Sequence, residues 1–169
     1  MGFPKPDEAA AHYSTYIDRI SDDNILDVLE SQLRDMTAIF RDISEEKSLH
    51  RYAPEKWSIR QVLNHVNDTE RVFAFRALWF GRGFSGPLPG FDQNTGASAA
   101  QADEYPWADH VQEFEKIRQA TVALFRNLPD EAWARSGVAS GMSVTVNALA
   151  YIIAGHTAHH VAILQERYL

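Results

Sequence analysis

The chain has 169 residues, no cysteine and a formal net charge of −7. That length fits one domain with a buried core, and an apolar share of 45% excludes a disordered chain. The acidic balance argues against binding nucleic acid through phosphates, and the lack of cysteine excludes a disulfide framework, a thiolate ligand and a cysteine nucleophile.

Residues 1–20 read as an N-terminal arm, with Pro4 and Pro6 followed by a short helix from Asp7 to Ile17. The first residues hold no apolar run of signal-peptide type, and the apolar stretches further on fall well short of the ~20 residues of a membrane span. No membrane partner is expected, and the cytoplasm is the expected location. The first long helix is expected over 24–43. Ile25, Leu29, Leu33, Met36 and Phe40 recur there at steps of three and four, and Asp22 or Asp23 can cap it. The second begins at Ser58, which forms a capping-box pattern with Gln61, and stops near Phe80 at Gly81-Arg82-Gly83.

Residues 81–106 are dense in glycine and proline and read as the longest irregular stretch. A loop of that length in a compact domain is usually functional or mobile. The third helix is expected over 107–128, ended by Pro129, and the fourth over 144–168. Residues 138–145 alternate too weakly to predict a strand. The expected fold is all-α: a four-helix bundle in a single domain, 1–169, with a long loop between the second and third helices.

The chemistry-bearing residues are histidines. His156 and His160 stand four residues apart in a strongly apolar helix, so they share one face. With each residue turning about 100°, they straddle the centre of the apolar face, and His159 falls about 60° to one side. Core histidines bonded to neighbours are one reading of such a pair; a metal ion that satisfies both rings is the other. Thr157 follows His156, so the His-Glu-x-x-His motif of zinc proteases is absent. On the second helix His65 lies at the flank of the apolar face and Glu70 nearer its centre. Periodicity alone ranks Glu70 above His65 as a buried polar group, as an arginine's ion-pair partner or as a ligand. His12, His50 and His110 have no helical partner at ligand spacing and read as surface residues.

Four segments together carry a family resemblance: Tyr52-Ala-Pro-Glu-Lys-Trp57-Ser-Ile-Arg-Gln-Val-Leu-Asn-His65, Asp68-Thr-Glu-Arg-Val-Phe-Ala-Phe-Arg-Ala-Leu78, Pro87-Leu-Pro-Gly-Phe-Asp-Gln93 and Ala154-Gly-His156-Thr-Ala-His-His160. The chain resembles the DinB/YfiT-like family, in its DinB-like subgroup, over nearly its whole length. The resemblance implies an up-down-down-up four-helix bundle. It also implies a divalent ion, zinc or nickel, held by His65, His156 and His160. The family allows dimerisation through helix faces, so a homodimer is within its range. Its relatives include transferases that use low-molecular-weight thiols, which implies a small-molecule substrate and a thiol partner. The iron motif His-x-x-x-His-x-Glu of related oxygenases is not matched, because Ala162 stands at its last position.

Three neutral ligands would leave a metal positive and open to a further ligand, so thiol transfer is the leading expectation. Metal-assisted hydrolysis is its rival, and a structural ion in a non-enzymatic bundle is another. Asp68 or Glu70 could support the site, and either one closing a fourth position would favour the structural ion. Phe91, Asp92 and Gln93, in the loop over 81–106, could roof the site and select substrate, or could simply cover helix ends.

Overall fold

The computed structural model describes residues 2–169. In chain order the helices are α1 (Ser14–Ile17), α2 (Ile25–Arg41), α3 (Ile59–Gly81), α4 (Gln93–Ala100), α5 (Trp107–Arg126) and α6 (Val146–Arg167). A small antiparallel hairpin of β1 (Ser136–Ala139) and β2 (Met142–Thr145) precedes α6. The fold is therefore mostly helical, with four long helices and one two-stranded sheet.

Local chemistry accounts for the helix starts. Ser58 Oγ accepts from the Gln61 N–H and the Gln61 side chain accepts from the Ser58 N–H, both at 3.1 Å, closing the capping box of α3. Thr145 Oγ1 accepts from the Ala148 N–H at 3.0 Å and caps α6. The start of α2 differs from expectation. Asn24 holds the cap position without a side-chain cap, and Asp22 instead accepts from the Asn24 N–H just ahead of the helix.

Helix α6 is the spine of the molecule. Every residue from Val146 to Thr157 is buried, as expected for a helix apolar on all sides. Helices α2 and α3 both pack on it, and α5 packs on α2 and α3. The remaining side is covered by the N-terminal arm. A 3-10 turn over Ala11–Tyr13 runs into α1, a shorter helical segment than the expected Asp7–Ile17. Gly155 permits this closure: a Cβ there would stand 2.0 Å from the Tyr16 carbonyl oxygen. Phe3 meets the Tyr151 ring edge-on at 5.4 Å, and the Thr145 N–H donates to Glu8 O at 2.9 Å.

The core falls into two apolar clusters. One gathers Leu29, Phe73, Phe80, Phe125 and Ile152; the other gathers Phe40, Leu63, Phe114, Val161 and Leu164. Buried polar residues from all four long helices, Gln32, Glu70, Arg118 and Thr157, join in one hydrogen-bonded layer. Arg118 donates from Nε and Nη2 to the two Glu70 carboxylate oxygens at 2.8 Å, from Nη1 to Gln32 Oε1 at 2.8 Å and from Nη2 to Thr157 Oγ1 at 2.9 Å. Gln32 in turn donates to Ala154 O at 2.9 Å. One guanidinium thus ties all four long helices together.

Two stretches depart from the sequence expectation. Residues 81–106 are not wholly irregular, because they contain α4 and a 3-10 turn over Ala102–Glu104. Asp92 caps α4 by accepting from the Thr95 N–H at 2.6 Å, and the alanine-rich stretch behind it favours helix, until Gln101 at φ 50° ends it. Residues 138–145 lie in the hairpin. Its turn is Ser140 at φ 54° and Gly141 at φ 77°, two left-handed residues of the kind that match hairpin twist. Leu88 pairs with this hairpin: its N–H donates to Val138 O and its carbonyl accepts from Ser140. The strands are too short for their alternation to stand out. Among the described residues no helix is long and apolar enough to cross a membrane.

Candidate metal centre

Helices α3 and α6 bring His65, His156 and His160 together just beside the polar layer. His156 Nε2 lies 3.1 Å from His65 Nε2 and 3.1 Å from His160 Nε2. All three offer a ring nitrogen within 4.8 Å of the others, and no carboxylate joins them among the described residues. His65 and His156 are buried and His160 half-buried. The capping box starts α3 so that His65, at a flank of its apolar face, looks across at α6. Thr69, one turn later, places Oγ1 3.3 Å from His65 Nδ1. Tyr16 holds His156 edge-on with ring centres 5.2 Å apart, a contact that Gly155 makes room for.

Burial sets the protonation of the three rings. It pulls His65 down to about 4. His160 falls to about 3, through burial and then repulsion from His65 and His159. His156 is held well below its ordinary value by burial, then by His160, His65 and His159. All three are neutral at pH 7, with lone pairs free. A neutral ring nitrogen is either one donor or one acceptor. His156 Nε2 faces two ring nitrogens, so hydrogen bonding within the trio cannot satisfy both contacts well. A tetrahedral ion with metal–nitrogen bonds of about 2.0–2.1 Å spaces its ligands about 3.3 Å apart, close to the 3.1 Å of the two pairs that share His156. The donor set fits a divalent transition ion.

The other candidates fall elsewhere. Glu70 is taken up by Arg118 on both oxygens and is not in the cluster. Asp68 accepts from Asn64 Nδ2 at 3.0 Å and lies 3.5 Å from Arg71; burial raises its carboxyl above the ordinary value. Phe91 and Gln93 line a cavity of about 190 Å³ together with His65, His156, Thr69 and Arg76. Asp92 is not part of that lining, and its carboxylate is lowered chiefly by the Thr95 backbone N–H. His159 sits at the boundary, with Nδ1 buried and without a partner among the described residues and its ring 5.5 Å from Tyr16. His12 and His50 are exposed, and His12 lines the same cavity. His110 is not a surface residue: it is buried on α5, with Nε2 2.9 Å from Ala102 O in the 3-10 turn that packs over it.

Sequence reasoning missed Thr69, Arg76, Tyr16 and Ser140. Thr69 and Arg76 were findable, because steps of four, four and three from His65 through Thr69 and Phe73 to Arg76 trace one helix face. At Ser140 the one local signal is the Ser-Gly dipeptide of its turn. Nothing local marks Tyr16.

Residues 29–164 match the DinB superfamily. The chain belongs to that superfamily. This DinB-superfamily fold is similar to YfiT from Bacillus subtilis, described as a probable metal-dependent hydrolase with an unusual four-helix bundle topology. The TM-score is 0.73 at 18% identity, covering 98% of this chain and 92% of YfiT. It is also similar to the mycothiol-dependent maleylpyruvate isomerase, with a TM-score of 0.70 at 11% identity, covering 86% of this chain and 61% of the isomerase. No curated protein sequence matches the chain.

Proposed function

We propose that His65, His156 and His160 hold a divalent metal ion, zinc or nickel, and that the protein is a metal-dependent transferase acting on a small molecule with a low-molecular-weight thiol. The observation that carries this reading is the buried, neutral three-nitrogen cluster opening on a cavity whose lining holds no acidic side chain. Held by neutral imidazoles, the ion keeps its charge and supplies Lewis acidity and a lowered pKa to a thiol or water beside it. With His65 Nε2 turned to the ion, its Nδ1–H would donate to Thr69 Oγ1, 3.3 Å away. Tyr16 packs edge-on against the His156 ring, and Phe73 lines the cavity beside it. The Glu70–Arg118–Thr157 bonds hold α3 and α6 in register behind the histidines and keep the Glu70 carboxylate out of the ligand set.

Metal-assisted hydrolysis is the second reading, favoured by the likeness to YfiT. Hydrolysis is served by a base that takes a proton from water; the cavity lining offers no carboxylate for that, and its one histidine outside the cluster is the exposed His12. A thiol, with a pKa of about 8.5, needs such help least. We also infer an up-down-down-up order for α2, α3, α5 and α6. Its support is the pairing of Arg41 with Glu115 and Glu30 with Arg126 along antiparallel α2 and α5. Asn67 with Glu113 and Glu70 with Arg118 pair along parallel α3 and α5, and Tyr168 with Trp57 where α6 ends beside the start of α3.

The test is a turnover assay on metal-loaded protein. Thiol transfer predicts that consumption of an electrophile by a small thiol is accelerated and that His160→Ala abolishes the acceleration. Ester or amide turnover without thiol would favour hydrolysis instead, and neither activity on fully loaded protein would favour a structural ion.

A further inference from the structure

Arg76 is an arginine without an acid. Its side chain belongs to a residue only 4% exposed, yet it forms no ion pair among the described residues. Nη2 donates to Pro89 O and to Ser140 Oγ, each at 3.0 Å, while Nε and Nη1 bond to nothing in the described chain. The Phe73 ring, 5.5 Å from the guanidinium carbon, offsets part of the cost of burying the charge. An arginine cannot escape that cost by losing its proton. The guanidinium of the polar layer, Arg118, is by contrast matched by a carboxylate on two of its nitrogens.

The unmatched charge faces the cavity that His65 and His156 line. That cavity is walled by Tyr13, Tyr16, Thr69, Phe91, Gln93 and Ser140, and by no aspartate or glutamate, in a chain with 23 acidic residues. Asp92, set between Phe91 and Gln93, is turned away onto Thr95. The cavity is thus selectively cleared of negative charge.

We propose that Arg76 is the anchor for an anionic group, a carboxylate or an oxyanion of similar size, on the substrate of this site. The inference rests on the reading of the histidine cluster as a metal centre and names the substrate class for it. Nε and Nη1 keep N–H groups without a partner among the described residues, and these can donate to an anionic oxygen. Ser140 Oγ and the Gln93 amide stand beside it as neutral hydrogen-bonding groups. On α3, His65 and Arg76 are eleven residues apart, about 16 Å along the axis, and helical side chains lean towards the N-terminus. Arg76 therefore reaches back towards the histidines and fixes the far end of a substrate whose reacting atom lies at the metal. A cavity of about 190 Å³ is small beside the usual 300–1,000 Å³ of ligand pockets, which restricts the substrate to a compact acid.

The test compares succinate and glutarate with their uncharged diamides, by calorimetry on metal-loaded protein. Metal content is measured on the same samples. Wild type should bind the acids at least about tenfold more tightly than the diamides. Arg76→Gln should remove that preference, whereas Arg76→Lys should keep part of it. Should Arg76→Gln fail to fold, Gln93→Glu places a negative charge on the exposed rim without touching the Arg76 bonds, and should also lose acid binding about tenfold. Equal binding of acids and diamides by loaded wild type would overturn the proposal, as would an acid preference unchanged in Arg76→Gln or in Gln93→Glu. A sample that carries no metal would instead overturn the metal reading, and the Arg76 comparison would still be readable.

Discussion

Replacing Arg118 by methionine should be among the most damaging single changes in the core. Its side chain is 0% exposed, and that of Glu70 is 2% exposed. The change leaves a carboxylate, the Gln32 amide oxygen and the Thr157 hydroxyl short of a donor, in the layer between two apolar clusters. Removing one partner of a buried ion pair costs about 3–5 kcal/mol. That is a large part of the roughly 5–15 kcal/mol that holds a domain folded. At about 2–4 °C per kcal/mol for a chain of this size, the melting temperature should fall by about 10 °C. Thermal unfolding of metal-free protein at neutral pH measures that fall, and urea unfolding the loss of free energy. Pairing Arg118→Met with Glu70→Leu removes both charges and should recover at least half of the loss, because the expense lies in the orphaned carboxylate rather than in the pair. A loss under about 1 kcal/mol for Arg118→Met, or a double variant as unstable as the two single losses added together, would refute this reasoning.

Metal-free protein should lose stability in acid. His65 sits at about 4 when folded and near 6.5 when unfolded, so the unfolded chain binds the extra proton between those values. The contribution is present above about pH 6.5 and lost as pH falls to about 4, roughly 3 kcal/mol from this ring alone; a urea midpoint unchanged between pH 7.5 and 4.5 would contradict it. Gly155→Ala, which in an open helix would stabilise by about 1 kcal/mol, should instead lower the melting temperature, since its Cβ meets the Tyr16 carbonyl at 2.0 Å. A raised melting temperature would count against the close seat of α1 on α6. Zinc at a hundredfold excess over its dissociation constant should stabilise by about 2.7 kcal/mol, reversed by chelator. A thermal unfolding curve indifferent to both would argue against an ordered site.

The parts of the molecule written in local pattern are the parts legible in the sequence. The four long helices follow from apolar residues at helical steps, and the Ser58–Gln61 box marks the start of α3 to the residue. The pairing of His156 with His160 follows from their spacing alone. His65 does not, because its place at the flank of α3 matters only once α6 is packed against it. Family resemblance supplied it, and the structure brings it within 3.1 Å of His156. Glu70 was readable as a buried acid awaiting an arginine; which arginine depends on packing, and Arg118 lies 48 residues away. The hairpin was illegible because its strands have four residues each and take part of their order from Leu88, far off in sequence. His110 was misread for the same reason: the 3-10 turn that buries it has no pattern of its own.

The most direct test of the metal centre is the metal content of untagged protein by elemental mass spectrometry, for wild type and for single alanine variants of His65, His156, His160 and His159. The expected result is about one zinc or nickel per chain in wild type and His159→Ala, and a large loss in each of the other three. A His156→Ala protein that keeps its full metal content would contradict the central claim, because His156 is the ring that faces both of the others.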